Sequence, residues 1–403
     1  MQIETRRWSA RREGFPPARA GFTPARTEIS GVPDRGRGSS AAEGRRLKLK
    51  RVFVIAAGGT GGHLFPGIAV ADELRRRDPA TRVVFAGTPK GLESRLVPRA
   101  GHELVLLPIL PLNGVGVARA LAGLVVLPWG LLRAAALVAR LRPAAVLGVG
   151  GYAGGPVVLA AALMGVPTVI LEPNAKPGFT NRVLRPFVGR AACSYEEARR
   201  EFGAKGVVTG NPVRGGFAGL PRKAHGAPYT LLAFGGSQGS RVLNEALVAA
   251  LPHLPGRERL RIVHQTGVAM RNQVADAYAT AGREAEVLEF LDDMESRFAE
   301  ADLVFCRSGA TTCAELTAAG KASVLVPFAL AADDHQRSNA HALQAAGAAR
   351  MIEERELSGP ALAQAVMETL ETPRRLEAME DAARAVGRPD AAARVADLLE
   401  AKP

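Results

Sequence analysis

A histidine set against a run of glycines, Gly58-Gly59-Thr60-Gly61-Gly62-His63, follows the apolar segment Val52 to Ala57 and precedes a helical pattern expected to begin near Pro66. Glycines between a buried strand and a helix start leave backbone amides facing whatever anion or sugar binds there. His63 titrates near neutral pH and can take a proton from an attacking hydroxyl, as asparagine or lysine cannot do as well. A lone histidine is equally a structural residue; the seat beside the loop argues for the base. A second loop, Gly235-Gly236-Ser237-Gln238-Gly239, follows the apolar run Thr230 to Phe234. Ser237 and its neighbouring amides, at the start of a helix from about Arg241, suit the negative charge of a departing diphosphate.

Neither loop completes a common nucleotide fingerprint. The first has no acidic residue closing the next strand, Val83-Val84-Phe85-Ala86-Gly87-Thr88, so a dinucleotide-binding oxidoreductase is only an alternative. It also lacks the lysine of a nucleoside-triphosphatase loop. No clustered Asp/His set demands a metal, and no cofactor is expected. Cys193, Cys306 and Cys313 form no chelating pair and read as small buried residues of a reducing compartment.

The chain has 403 residues, enough for two domains, with 47% hydrophobic and 23% charged residues, near the globular average. Strand-like runs at Val52 to Ala57, Arg82 to Ala86, Glu103 to Leu107, Ala145 to Val149, Thr168 to Leu171 and Val207 to Thr209 alternate with helical segments. The rhythm restarts after Gly210-Asn211-Pro212-Val213-Arg214, with strands expected at Thr230 to Phe234, Arg261 to His264, Glu286 to Glu289, Leu303 to Arg307 and Ala322 to Val326. Such alternation predicts an α/β chain of two Rossmann-like, doubly wound parallel-sheet domains, residues 49–213 and 214–403, facing across a ligand cleft. The last helix is expected to pack back on the N-terminal domain.

The net charge of +13 is concentrated at the start, where residues 1–50 hold twelve Lys and Arg against five Asp and Glu, a net of +7. The remaining +6 is a mild excess, and no recognition motif points to nucleic acid. Residues 1–48 lack apolar periodicity and are expected to be a disordered, dispensable basic extension, or to precede the true start of translation. The N-terminus has no apolar core of a secretory signal. From Ala120 to Leu132 an apolar stretch, interrupted by Pro128 and Gly130 and flanked by Arg119 and Arg133, is too short to span a bilayer. It reads either as a core helix or as a face that sits on anionic lipid with Trp129 at the interface.

Taken together, Gly58 to Ala69, Gly150-Gly151-Tyr152, Glu172-Pro173-Asn174-Ala175, Gly210 to Arg214, Gly235 to Gly239, Ser308-Gly309-Ala310 with Glu315, and Asp334-His335-Gln336 with Asn339-Ala340 run in a familiar order. The chain from about Lys50 onward resembles the MurG family, bacterial transferases that add N-acetylglucosamine to undecaprenyl-pyrophosphoryl-muramoyl-pentapeptide. The resemblance implies a GT-B fold and an inverting transfer from UDP-N-acetylglucosamine to the C4 hydroxyl of lipid I, giving lipid II and UDP. It implies a peripheral protein at the cytoplasmic face of the inner membrane, with the anionic membrane surface and the cell-wall and division machinery as partners.

The same likeness carries over roles residue by residue. Glu315, expected in a helix capped by Ser308, would accept hydrogen bonds from the ribose hydroxyls. Arg214 and the backbone at Leu291 would contact the uridine. Asn174 and Gln336 would read the sugar hydroxyls and acetamido group, and Thr60, Gly61 and Gly62 would complete the donor site. Pro173 stands where many family members have glutamine, which puts the geometry of Asn174 in question. A UDP-N-acetylglucosamine 2-epimerase would share the fold and the nucleotide, and is the leading alternative.

Overall fold

The computed structural model describes residues 51–401 apart from 59–60, 90, 110–116 and 332–333. The basic extension of residues 1–48 and the candidate donor-site residue Thr60 therefore lie outside the described residues. Thirteen strands form two all-parallel sheets among the described residues. The first is built from β1 (Val52–Ala57), β2 (Arg82–Gly87), β3 (Glu103–Leu106), β4 (Ala145–Gly150), β5 (Thr168–Glu172), β6 (Arg190–Cys193) and β7 (Gly206–Val208), in the order β3-β2-β1-β4-β5-β6-β7. The second comprises β8 (Tyr229–Phe234), β9 (Leu260–Gln265), β10 (Glu286–Leu288), β11 (Leu303–Cys306), β12 (Ser323–Leu325) and β13 (Ala349–Met351), ordered β10-β9-β8-β11-β12-β13.

Helices cover both faces of each sheet, which is why the central strands are continuous apolar runs. Around the first sheet lie α1 (Gly61–Arg77), α2 (Glu93–Arg99), α3 (Val117–Leu141), α4 (Gly151–Leu163), α5 (Phe179–Leu184) and α6 (Glu196–Phe202). Around the second are α7 (Arg241–Ala250), α8 (Arg271–Thr280), α9 (Met294–Glu300), α10 (Ala310–Ala319), α11 (His335–Ala345), α12 (Gly359–Leu370) and α13 (Pro373–Val386). Alternate residues of β1 divide between two cores: Phe53 and Ile55 meet Leu64, Val70 and Leu74 of α1, while Val54 and Ala56 meet the layer of α3 and α4. The three cysteines are buried and unpaired.

The final helix, α14 (Ala391–Glu400), leaves the second sheet and enters the core of the first. Val395, Ala396 and Leu399 are buried beside Phe53, Leu147 and Leu171. Its polar edge is tied down by Arg77, which donates to Asp397 at 2.7 Å, Glu400 at 2.8 Å and the Ala393 carbonyl at 2.8 Å.

Three local expectations need correction. The first helix begins at Gly61 inside the glycine loop, not near Pro66. The stretch with Pro128 and Gly130 is one continuous helix, α3, because Leu131, Ala134, Leu137 and Val138 share a face that packs into the core. Gly130 there admits the neighbouring segment: a Cβ on it would lie 3.2 Å from Ile109. Finally, β6 and β13 escaped the sequence reading. Arg190-Ala191-Ala192-Cys193 has no β-branched residue, and Ala349-Arg350-Met351 is a three-residue edge strand.

Because α14 fills the first sheet's core, Leu399→Ala should lower the unfolding free energy by about 2–5 kcal/mol, the usual cost of a buried leucine truncation. Urea denaturation followed by circular dichroism measures this. A change within about 0.5 kcal/mol, the scale of a surface substitution, would show that the helix is not anchored there.

Candidate active site

The carboxyl ends of the two sheets meet, and the candidate residues gather where they do. His63 lies in the first turn of α1, after the glycine loop that follows β1. Its ring rests on Gly150, at the end of β4: a Cβ on Gly150 would sit 2.6 Å from His63 Cδ2. Gly150 adopts φ +105, and the register of β1 against β4 shifts at this point. Gly151, at φ +74, is equally constrained, since its Cβ would fall 2.0 Å from the Gly58 carbonyl. Burial holds the His63 pKa below its ordinary 6.5, and the nearby His335 of α11 lowers it further. The imidazole is thus neutral and proton-accepting at neutral pH.

Pro66 sits inside α1, where it lacks the amide that would bond to the Gly62 carbonyl four residues back. Thr311 of α10 donates its hydroxyl to that carbonyl at 2.8 Å, joining the second half of the chain to the glycine loop of the first. Sequence reasoning passed over Thr311, although Pro66 at this position in a helix was a signal that a carbonyl would be left over.

A second bridge runs through Asn339 of α11, fully buried. Its amide donates to the Ser308 carbonyl at 3.3 Å and to Asn174 Oδ1 at 3.4 Å, while its own Oδ1 accepts from the Ala175 amide at 3.4 Å. Asn174 is held from the other side by Glu172. One oxygen of that buried carboxylate accepts from the Asn174 backbone at 3.0 Å and side chain at 3.2 Å. The other accepts from Gly178 at 2.9 Å and from Asn181 Nδ2 at 2.8 Å. Pro173 lies between Glu172 and the first of these donors and is not itself among them, so its missing amide leaves the loop's hydrogen bonds intact. Burial raises the Glu172 pKa, opposed by these hydrogen bonds.

Glu315, one turn along α10 from Thr311, is 5% exposed. It accepts from Arg214 Nη2 at 3.1 Å. Desolvation pushes its pKa up to about 7 although the Arg214 charge pulls it down. The Arg214 guanidinium is sandwiched by rings, 4.6 Å from the centre of Phe65 and 5.0 Å from that of Phe217. The side chain of Leu291 is buried with Val213, Phe217 and Phe298, which leaves only its backbone for a ligand.

The second glycine loop leads into α7 at Arg241, with Ser237 exposed at its turn. Gly236 and Gly239 have φ +93 and +75, and a Cβ on Gly239 would meet the Thr266 carbonyl at 2.0 Å. Arg307 braces this loop from beneath. It donates to Ser240 Oγ at 3.1 Å, to Glu354 at 2.6 Å and to the carbonyls of Val326 and Pro327. Ser308 does not cap α10 as expected; the helix starts at Ala310 after Gly309, and the Ser308 hydroxyl donates to the Gln336 carbonyl at 2.8 Å. The Gln336 side chain accepts from the Phe328 amide at 3.1 Å, which turns its Nε2 away from that bond. Gly61 and Gly62 provide the first amides of α1.

This geometry can hold an anion between two helix starts, and it brings a neutral histidine and hydroxyl-reading groups to one place. Residues 53–193 match the glycosyltransferase family 28 N-terminal domain, and residues 230–395 match the glycosyltransferase family 28 C-terminal domain. The chain is 49% identical over 351 residues to the UDP-N-acetylglucosamine–N-acetylmuramyl-(pentapeptide) pyrophosphoryl-undecaprenol N-acetylglucosamine transferase of Anaeromyxobacter sp. (strain K), covering 86% of this chain and 91% of that protein. It is 49% identical over 349 residues to the protein of that name from Myxococcus xanthus, with the same coverage. The crystal structure of Acinetobacter baumannii MurG aligns with a TM-score of 0.71 and 34% identity, over 87% of this chain and 99% of that one. A UDP-N-acetylglucosamine 2-epimerase, at 14% identity and a TM-score of 0.63, shares the fold. Since both family domains fall, in order, on the two sheets whose ends build this site, the chain belongs to glycosyltransferase family 28 and is a GT-B glycosyltransferase.

Proposed function

We propose that the enzyme transfers N-acetylglucosamine from UDP-N-acetylglucosamine to the C4 hydroxyl of the muramoyl sugar in undecaprenyl-pyrophosphoryl-muramoyl-pentapeptide, with inversion. The observation that carries this reading is the 49% identity, over 351 residues spanning both halves, to a transferase of that name. In the step, His63 takes the proton of the C4 hydroxyl, the oxygen forms a bond to the anomeric carbon, and the bond from that carbon to the diphosphate breaks. UDP leaves with the electron pair. Ser237 and the amides of its loop, with the amides of Gly61 and Gly62, oppose the charge that develops on the diphosphate. Glu315 receives the ribose hydroxyls, Arg214 and the Leu291 backbone contact the uridine, and Asn174 and Gln336 read the transferred sugar. The first-sheet half (residues 49–213) would receive the acceptor and the second-sheet half (214–403) the donor.

The acceptor's lipid places the reaction at a membrane. Among the described residues no helix is long and apolar enough to cross one. The face of α3 opposite the core exposes Trp129 (52%) and Leu132 (63%), and Arg133 lies 4.8 Å from the centre of the Trp129 ring. Phe179, Val183 and Phe187 are exposed on and just after α5, which shares the α3 and α4 layer. Apolar tips with adjacent arginines suit peripheral attachment to the anionic cytoplasmic face of the inner membrane. Leu131, in contrast, points into the core.

His63→Ala should lower the rate on lipid I by roughly 10²–10⁴, the range for loss of a general base, with donor affinity little changed. Near-wild-type turnover would remove His63 from that role. Glu315 must be ionised to accept two ribose hydroxyls, and burial holds its pKa at about 7 in the free enzyme. Donor binding favours the ionised form, so the UDP-N-acetylglucosamine Kd should fall roughly tenfold from pH 6 to pH 8 and then level off. Calorimetric titration measures this, and Glu315→Gln should bind weakly with no such slope; a flat wild-type profile would refute the assignment. For attachment, a Trp129→Gln/Leu132→Gln enzyme should lose most binding to vesicles rich in anionic lipid. Wild-type binding should weaken with salt as the arginines are screened. Equal partitioning of the two proteins would place the membrane face elsewhere.

A further inference from the structure

In the reaction proposed above, the base and the donor belong to different halves of the chain. His63 stands on α1 beside the first sheet, while Glu315 on α10 and the Ser237 loop before α7 stand beside the second. A general base works only within hydrogen-bond reach of the proton it takes, about 2.6–3.2 Å, and a misplacement of about 1 Å can cost about 10²-fold in rate. Contact with Gly150 fixes the His63 ring against its own sheet. It does not fix the ring against the donor.

Two contacts reach from the second half to the first turn of α1. Thr311 donates its hydroxyl at 2.8 Å to the carbonyl of Gly62, the residue before His63. Phe65, two residues after His63, lies 4.6 Å from the Arg214 guanidinium, measured to the ring centre, and Arg214 donates to Glu315. Thr311 and Glu315 are one turn apart on α10, and Gly62 and Phe65 nearly one turn apart on α1, so His63 is bracketed on both sides. The stack accepts a cation anywhere within about 6 Å of the ring centre, whereas a hydrogen bond weakens steeply once it is bent. Of the two contacts, the Thr311 bond is the one that defines a position.

That hydroxyl is not used as helical threonines commonly use theirs, by turning back to a carbonyl three or four residues earlier. Thr317 of the same helix does this, donating to the carbonyls of Cys313 at 3.0 Å and Ala314 at 3.1 Å. Thr311 instead reaches across to the carbonyl that Pro66 leaves without a helical donor. On its other face α10 borders a cavity of about 1420 Å³, lined in part by Ala310, Ala314 and Thr317. Open space on that side gives the start of α10 no packing to set its position, and the bond to Gly62 supplies the constraint.

We propose that Thr311 is a positioning residue for the transfer, its hydroxyl holding the Gly62 carbonyl so that His63 on one half reaches the acceptor hydroxyl beside a donor bound on the other. This rests on the transferase reading above, with His63 as its base. Because Thr311 and Glu315 share one helix, the element that receives the ribose also places the base.

The test uses the full-length enzyme with UDP-N-acetylglucosamine and lipid I. Thr311→Val keeps the shape of a partly exposed side chain and removes its donor. Its kcat should fall about 10- to 100-fold, as for a reacting group displaced by up to about 1 Å, while the donor Kd measured by calorimetry stays within about twofold. Thr311→Ser, which retains the hydroxyl, should remain within about threefold of the wild-type kcat. The decisive comparison repeats Thr311→Val in the His63→Ala enzyme: with no base left to place, the further loss should be under about twofold. An unchanged kcat in Thr311→Val, a Thr311→Ser enzyme as slow as Thr311→Val, or the same loss with and without His63 would overturn the positioning role while leaving the transferase reading intact. Absence of lipid I turnover by the wild type would overturn both.

Discussion

A proline has no amide hydrogen, and in α1 that absence falls at Pro66, leaving the Gly62 carbonyl without its helical partner. The vacancy is filled from the other half of the chain by Thr311. A hydrogen bond of this kind contributes only about 0.5–1.5 kcal/mol net, too little to hold two domains together. Its importance is positional. Thr311 is in the first turn of α10, Glu315 follows one turn later on the same face, and Gly62 is next to His63. The one contact therefore sets the distance between the proposed ribose-binding carboxylate and the proposed base. It can do so because each end is rigid: His63 is pressed on Gly150, and Gly151 admits the Gly58 carbonyl at a separation no side chain would allow.

Charge at the site is arranged by burial more than by pairing. Glu172 and Glu315 are both buried carboxylates with raised pKa values, but they differ in what surrounds them. All the contacts of Glu172 are donors from its own loop and the adjoining α5, so its oxygens are consumed in shaping the Asn174 turn. Glu315 meets a single guanidinium, and its second oxygen is left for a ligand. The same distinction separates Arg307, which is buried, from Arg214, which is partly exposed. Arg307 spends its donors on carbonyls, Ser240 and Glu354, bracing a loop, whereas Arg214 is stacked between Phe65 and Phe217 and makes few hydrogen bonds. Groups already saturated by the protein scaffold the site, and those with capacity remaining face the proposed nucleotide position.

Much of this was legible beforehand, for reasons that show where legibility ends. Strands buried on both faces, such as Val52–Ala57 and Leu303–Cys306, announce themselves as unbroken apolar runs between glycine loops. The parallel two-sheet architecture follows from their alternation with helices. The Arg190–Cys193 strand is held by its neighbours, not by its own composition, and so carried no signal. Boundaries that depend on distant partners were misread for the same reason. Ser308 has the residue type of a helix cap, but the Gln336 carbonyl, twenty-eight residues on, competes for its hydroxyl. The four donors that occupy Glu172 come together only in the folded loop, and Asn339 and Thr311 act across more than 160 residues of sequence.

The contrast between the two faces of α10 carries the argument one step further. A helix ten residues long with alanine, cysteine and threonine on one side and Thr311 and Glu315 on the other is weakly amphipathic, because neither face enters an apolar core alone. Cys313, Leu316 and Ala319 anchor it in the core, while Thr311 and Glu315 on one side and Ala310, Ala314 and Thr317 on the other look into two separate spaces. Any displacement of α10 therefore changes both at once: the Arg214–Glu315 side, where the nucleotide is proposed to sit, and the cavity on the other face. The domains are joined near that helix by the Gly210–Arg214 segment. Gly210 holds φ +82 and approaches Arg388 so closely that a Cβ would lie 2.4 Å from the arginine's own. A side chain at Gly210 would push the segment carrying Arg214 off Arg388 and Ala391, and with it the guanidinium that meets Glu315 of α10, so the glycine holds Arg214 in place from outside the site.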